Sequence, residues 1–154
     1  MLIRAATLAD VPAVVGIHVE SWDAAKEGLA LPTRRSRKER TEQWQRYLGE
    51  ARGTLLVACD PEPVGFIAYG PSRDQDRARE TEIHMLYVAP AQWGMGIGSA
   101  LVSEVPSDLP VSLWVAERNE RARALYARLG FEPDGAIEAG HHVPQMRLAR
   151  PGCR

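Results

Sequence analysis

The sequence predicts a single α/β domain organised on one sheet with both parallel and antiparallel neighbours. Three observations lead there. Two β-branched runs, Thr54 to Cys59 and Val64 to Tyr69, flank Asp60-Pro61-Glu62-Pro63, which is turn chemistry. A third apolar run, Thr81 to Val88, passes through Gly94, Gly96 and Gly98 into a helical pattern at Ile97, Leu101, Val102 and Val105. A strand followed by a helix then recurs between Val111 and Gly130. The chain has 154 residues, 45% hydrophobic and 25% charged, which fits one domain of ordinary globular composition. A chain of this length buries roughly 70% of its unfolded surface around a single core. Residues 1–150 are read as the domain and 151–154 as a C-terminal tail.

The elements follow in order. Leu2 to Ala6 is a short first strand. Asp10 caps a helix whose first turn tolerates Pro12, with Val11, Val14, Val15, His18, Val19 and Trp22 on its apolar face and Gly28 as its end. Ser36 and Glu39 have the spacing of a capping box, opening a helix with Trp44, Tyr47 and Leu48 on one face. The second and third strands come next, then a polar loop from Gly70 to Glu80 and the fourth strand from Thr81. After the glycine-rich helix, Val111 to Ala116 is the fifth strand. Asn119 caps a helix with the buried stripe Ala122, Leu125, Tyr126 and Leu129, closed by Gly130. Phe131 to Leu148 holds one or two terminal strands with a turn near Gly140.

Several function classes fall away. The formal net charge of -1 gives no global field for nucleic acid or an anionic membrane. No apolar run approaches the roughly 20 residues of a membrane span. The N-terminal segment MLIRAATLADVP lacks the pattern of a secretory leader. Cys59 and Cys153 are the two cysteines and read as free thiols, so a cytoplasmic protein is expected. No His, Cys, Asp or Glu cluster has metal-ligand spacing, so no metal is expected. Thr33 to Arg40 is basic but is followed by Glu42 and Glu50, and reads as a solvated helix start.

The glycines carry the functional signal. Three alternating glycines raise the entropy lost on folding and add nothing to the core. A bare turn into a helix lets phosphate oxygens approach the unpaired first N–H groups. A tight turn with close helix packing explains the glycines equally well on spacing alone. The stretch is neither a Walker loop nor the GxGxxG of a dinucleotide site. A pyrophosphate-bearing ligand other than a nucleoside triphosphate or NAD fits better.

Leu86-Tyr87-Val88, Pro90, and Gly94-Met95-Gly96-Ile97-Gly98-Ser99-Ala100-Leu101 resemble the acyl-CoA motif of the GNAT superfamily of N-acetyltransferases. LWVAERNERARALYARLGFEPDG resembles the second signature of that family, with Asn119, Ala122, Leu125, Tyr126, Gly130 and Phe131 at its spacings. The resemblance covers nearly the whole chain. It implies a GNAT-like fold: a mixed, mostly antiparallel twisted sheet of about six to seven strands with about four flanking helices. One position departs. Where the family pattern opens with Arg or Gln, three residues before the middle glycine, this chain has Trp93, with Gln92 one residue early.

The resemblance further implies that the fourth and fifth strands splay apart and that acetyl-CoA is the co-substrate between them. Leu86, Tyr87, Val88, Trp93, Gly94, Met95, Gly96, Ile97, Gly98, Ser99 and Asn119 would bind it, with pantetheine amides pairing to the backbone of Leu86 and Val88. Tyr126 would protonate the departing thiolate. An amine of pKa near 10.4 costs roughly 4–5 kcal/mol to deprotonate at pH 7, so a base is expected. By alternation, Glu82, His84, Leu86 and Val88 share one strand face. Glu82 matches a glutamate often seen there in that family, so the resemblance makes it the first candidate base, with His84 the second. Trp22 and His141-His142 are further candidates for the acceptor pocket.

The implied activity is acetyl transfer to a primary amine, on a small molecule or a protein, with no nucleic-acid or membrane partner. A homodimer is compatible with the family. The rival reading is a non-enzymatic acyl-CoA-binding sensor, which would need neither Tyr126 nor a base.

Overall fold

Among the described residues of the computed structural model (1–25, 35–139 and 143–153), seven strands form one sheet. They are β1 (Leu2–Ala5), β2 (Thr54–Cys59), β3 (Pro63–Pro71), β4 (Thr81–Val88), β5 (Val111–Ala116), β6 (Glu132–Glu138) and β7 (Gln145–Arg150). Their order is β1-β2-β3-β4-β5-β7-β6, and every neighbouring pair is antiparallel except β4 and β5. Four α-helices flank it: α1 (Val11–Ala25), α2 (Arg37–Gly49), α3 (Ile97–Ser103) and α4 (Glu120–Arg128). This is the mixed sheet and helix complement that the sequence predicts. The expected ends at Gly28 and Gly140 lie outside the described residues.

Each face of the sheet buries its own cluster. Val11, Val14, Val15 and Val19 of α1 and Trp44 of α2 pack on Val57 and Phe66. On the other face, Leu101 and Val102 of α3 and Tyr126 of α4 pack on Ile83, Leu113 and Leu148. The helical and two-residue periods in the sequence therefore mark two buried layers, and α/β alternation supplies both.

Three local expectations change. Asp10 does not cap forward. It closes a 3-10 turn, Leu8–Asp10, by accepting from the Thr7 N–H at 2.8 Å while pairing with Arg4. Ser36 does open α2 as read, accepting from the Glu39 N–H at 3.1 Å. Arg40, however, is buried rather than solvated, lying 2.7 Å from His18 beneath α1.

The third change concerns β4. Met85 pairs with Ala68 and Ile83 with Tyr69, so His84 is an extra residue that bulges the strand. The bulge resets the alternation. Ile83, Leu86 and Val88 face α3 and α4, whereas His84, Met85 and Tyr87 face α1 and α2. Glu82 and His84 thus do not share a face with Leu86 and Val88, because strict period two fails across a bulge.

The polar loop between β3 and β4 is fastened down. Buried Arg147 of β7 donates to Asp74, Asp76 and Asp134, and the Trp114 indole N–H also donates to Asp74. These bonds hold residues 72–80 across the β5–β7 end of the sheet.

Candidate active site

A cleft opens where the sheet comes apart. β4 and β5 pair only at Thr81–Val111, Glu82–Ser112 and Ile83–Leu113, and beyond Ile83 the strands separate. The resulting cavity has a volume of 520 Å³ and runs from the glycine turn to Tyr126. Two strands leaving a parallel pair expose backbone groups that would otherwise form a ladder.

The pairing pattern shows which groups those are. Ala89 N–H donates to Val64 O at 2.8 Å, and the register then makes Tyr87 and Phe66 the next hydrogen-bonded pair. Antiparallel strands alternate bonded and non-bonded pairs, so the N–H and C=O of Leu86 and Val88 point away from β3 towards the cleft. The Val88 carbonyl is already engaged. It accepts from the Trp93 indole N–H at 2.8 Å and from Ser21 Oγ at 3.1 Å. Leu86 and the Val88 N–H remain to meet an incoming amide.

The glycines divide between two purposes. Gly94 and Gly96 have φ of +79° and +81°, in the left-handed region, and a Cβ on either would meet nothing within 4 Å. The turn therefore needs glycine for its conformation, and it leaves the backbone open on the cleft side. Gly98 is different. A Cβ there would stand 3.2 Å from Leu125 Cδ2, so Gly98 lets α3 approach α4. Close packing thus explains Gly98, and a left-handed turn explains Gly94 and Gly96.

α4 forms the opposite wall. Asn119 Oδ1 accepts from the Ala122 N–H at 3.2 Å, which caps the helix and leaves the side-chain amide N–H₂ at the cleft. About two turns on, Tyr126 is buried with its ring edge against Phe131. Its hydroxyl makes no hydrogen bond among the described residues. Burial raises its pKa well above the ordinary tyrosine value, so the phenol is protonated throughout the physiological range. Arg121, two residues after the cap in the first turn of α4, lies with its guanidinium 3.4 Å from the centroid of the Trp93 ring, joining the two walls.

Glu82 and His84 lie elsewhere. Neither lines the cleft. Glu82 is 1% exposed, and its carboxylate accepts from the Arg73 backbone N–H at 2.9 Å and from Arg73 Nη2 at 2.7 Å. Burial alone would raise its pKa, but the bonds and charge of Arg73 outweigh it and hold the carboxyl below its ordinary value. His84 Nε2 lies 3.2 Å from the Pro71 carbonyl and Nδ1 lies 2.8 Å from the Tyr47 hydroxyl. A carbonyl only accepts, so Nε2 carries the proton and Nδ1 accepts from Tyr47 in the neutral ring. Burial, followed by the charge of Arg73, lowers the His84 pKa and keeps it neutral.

Of the residues expected from sequence, Leu86, Tyr87, Val88, Trp93, Gly94, Gly96, Ile97, Gly98, Ser99, Asn119 and Tyr126 line one cleft. Met95 does not and is exposed. The Tyr87 ring stacks on His18 at 4.8 Å. Trp22 sits under Arg40 and outside the cleft lining, and His141 and His142 lie outside the described residues. Ser21 and Arg121 were not singled out from sequence. Arg121 had a signal, since 121, 125 and 128 share a helix face with the predicted Leu125. Ser21 had none, because its contact spans 67 residues of chain. Among the described residues no group of three or more His, Cys, Asp and Glu side chains could hold a metal ion. Nor is any described helix long and apolar enough to cross a membrane.

Comparisons with known proteins agree with this geometry. Residues 18–131 match the model of the acetyltransferase (GNAT) family. A probable N-acetyltransferase of Mycobacterium tuberculosis is 29% identical, over 97% of this chain and 96% of its own length. The crystal structure of a ribosomal-protein-alanine N-acetyltransferase from Brucella melitensis is 26% identical. It has a TM-score of 0.75 and covers 98% of this chain and 99% of its own. The PaiA N-acetyltransferase of Thermoplasma acidophilum, solved in complex with coenzyme A, shares the fold. Its TM-score is 0.77 at 18% identity, covering 97% of this chain and 98% of its own.

Proposed function

The chain belongs to the acetyltransferase (GNAT) family, and from that premise we propose that it moves an acetyl group from acetyl-CoA to a primary amine by direct attack in a ternary complex. The observation that carries the reading is the separation of β4 and β5 beyond Ile83. It turns unpaired strand backbone, an open glycine turn and the Tyr126 phenol towards one 520 Å³ cleft.

The residues present fit acetyl-CoA. The backbone at Gly94 and Gly96 carries no side chain to keep a pyrophosphate away, and Leu86 offers both an N–H donor and a C=O acceptor for pantetheine amides. The Asn119 amide N–H₂ adds a donor from the opposite wall. Acetyl-CoA supplies an activated thioester, so no covalent intermediate on the protein is needed. The chain's contribution is to orient the reacting carbonyl and to offer a strand N–H towards its oxygen as negative charge develops. Tyr126, protonated at neutral pH, hydrogen-bonds the departing sulfur and donates its proton to it, and the phenol regains a proton from solvent, which takes up the one lost by the amine.

The proton of the amine has a different destination from the one the sequence suggested. A good base has a pKa near the working pH. Glu82 is held below the ordinary carboxylate range by Arg73, and the accepting nitrogen of His84 is taken by Tyr47. In this reading the amine loses its proton to solvent water, and Glu82 and His84 hold the shape of the bulged strand. A panel of amines, small and peptidic, assayed for CoA release with mass measurement of the products, tests the function. Acetylated product with stoichiometric CoA release supports transfer. Tight acetyl-CoA binding with no product across the panel supports the sensor.

A further inference from the structure

The departure at Trp93 raises a question of charge. A pyrophosphate carries negative charge that backbone N–H groups and small dipoles only partly offset. The family places Arg or Gln where this chain has Trp93, and the indole points its N–H back to Val88 O, not outward. The loop itself therefore has no cation. One arrives from the other wall. Arg121 reaches across from α4 and places its Cζ over the indole, 3.4 Å from the ring centroid, the separation of stacked planes.

The stacking has a chemical consequence. A guanidinium lying on an aromatic face directs all five N–H donors outward in its own plane. No carboxylate pairs with Arg121 among the described residues, unlike Arg73, Arg77 and Arg147. Partial burial against the indole lowers its pKa, so its charge is incompletely solvated while still present at neutral pH. Arg121 and Trp93 both line the cleft, beside the turn at Gly94 and Gly96.

Resting on the acetyl-CoA reading above, we infer that Arg121, held in place by Trp93, is the cationic contact for the CoA pyrophosphate in this chain. The cation has been moved from the loop to the first turn of α4, and Trp93 serves as its platform. The Trp93 indole N–H also closes off Val88 O, which confines the amide contacts of the pantetheine arm to Leu86 and the Val88 N–H.

Calorimetric titration of the wild type and of Arg121→Ala with three probes tests this: acetyl-CoA, 3′-dephospho-CoA and S-acetylpantetheine. The expected result is a loss of about tenfold in affinity for acetyl-CoA and for 3′-dephospho-CoA, with S-acetylpantetheine unchanged. Trp93→Ala should show the same selectivity with a smaller loss, because the cation remains but loses its platform. Arg121 is exposed, and circular dichroism should show both variants folded. A loss confined to acetyl-CoA moves the contact to the 3′-phosphate and overturns the inference. An equal loss for all three probes makes Arg121 a support of the cleft wall, and no loss makes it a bystander. Either result also overturns the inference while leaving acetyl transfer standing. A wild type that binds none of the three brings down the acetyl-CoA reading, and the inference with it.

Discussion

Both oxygens of the Glu82 carboxylate are held by Arg73, Oε2 by Nη2 at 2.7 Å and Oε1 by the backbone N–H at 2.9 Å. Glu82 is buried on β4, whereas the Arg73 side chain is 63% exposed on a loop that Arg147 clamps to β7. The pair ties that loop to the strand just before its bulge. It explains why a carboxylate is tolerated in the sheet: the charge is met from above by a cation and a backbone donor.

The first prediction follows from that pair. The folded pKa of Glu82 is depressed, so its contribution to stability is present above the unfolded value and is lost as pH falls through the folded one. Melting temperature should therefore drop as the pH is lowered below about 4.5, and the drop should be shallower in Glu82→Gln. Asp10, held at about 2 by Arg4, keeps part of the acid sensitivity in the variant. An acid limb of equal steepness in both proteins would show that Arg73 does not stabilise the ionised form.

The kinetic counterpart concerns the amine's proton. In kcat/KM against pH, the acidic limb should persist in both Glu82→Gln and His84→Gln and should move with the pKa of the amine chosen. Two acceptors differing by about two units in pKa make the comparison decisive. A limb that vanishes in Glu82→Gln returns the role of base to Glu82.

Tyr126→Phe should leave acetyl-CoA affinity within about twofold of wild type and lower kcat by roughly 10- to 100-fold. Only the hydroxyl is removed, and the ring packing on Phe131 survives. The effect is limited because a thiolate, of ordinary thiol pKa near 8.5, leaves fairly well unaided. Unchanged turnover would reduce Tyr126 to a packing residue.

Gly96→Val and Gly98→Val should fail in different ways. At Gly96 the cost is the left-handed backbone, about 1–2 kcal/mol, together with a side chain on the open cleft side of the turn. Acetyl-CoA affinity should fall in a protein that still folds. At Gly98 the new side chain meets Leu125, so the melting temperature should fall as α3 is pushed from α4. Paired titration and thermal melts separate the two, and equal affinity for wild type and folded Gly96→Val would move the phosphate site elsewhere.

Arg147→Ala should destabilise the protein by about 3 kcal/mol, the scale for removing one partner of a buried ion cluster. Asp74, Asp76, Asp134 and the Trp114 indole share this cluster. A thermal melt within about 1 °C of wild type would show that the cluster is dispensable.

The sequence by itself determined the order and type of the main elements as far as Gly130, left one or two strands beyond it, and marked the wall of the cleft nearest in chain to the glycine turn. That information is local. Helical period, two-residue alternation, the Ser36 and Asn119 caps and the glycines are each written within a few residues, and β2, β4 and β5 run as their apolar runs predict. The family resemblance added the cleft between β4 and β5 and the place of Tyr126 on its far wall. Tertiary structure decided the rest. The bulge at His84 arises from pairing with β3, and a one-residue insertion turns every later side chain to the other face. Glu82 and His84 were therefore assigned to the cleft by an alternation that the partner strand interrupts. Arg40 read as solvated because charge marks a surface in sequence, yet α1 covers it. Arg121 was passed over because nothing local says that α4 lies opposite Trp93. Contacts between residues distant in chain, such as Ser21 with Val88 or Arg121 with Trp93, exist only once the sheet brings the two walls together.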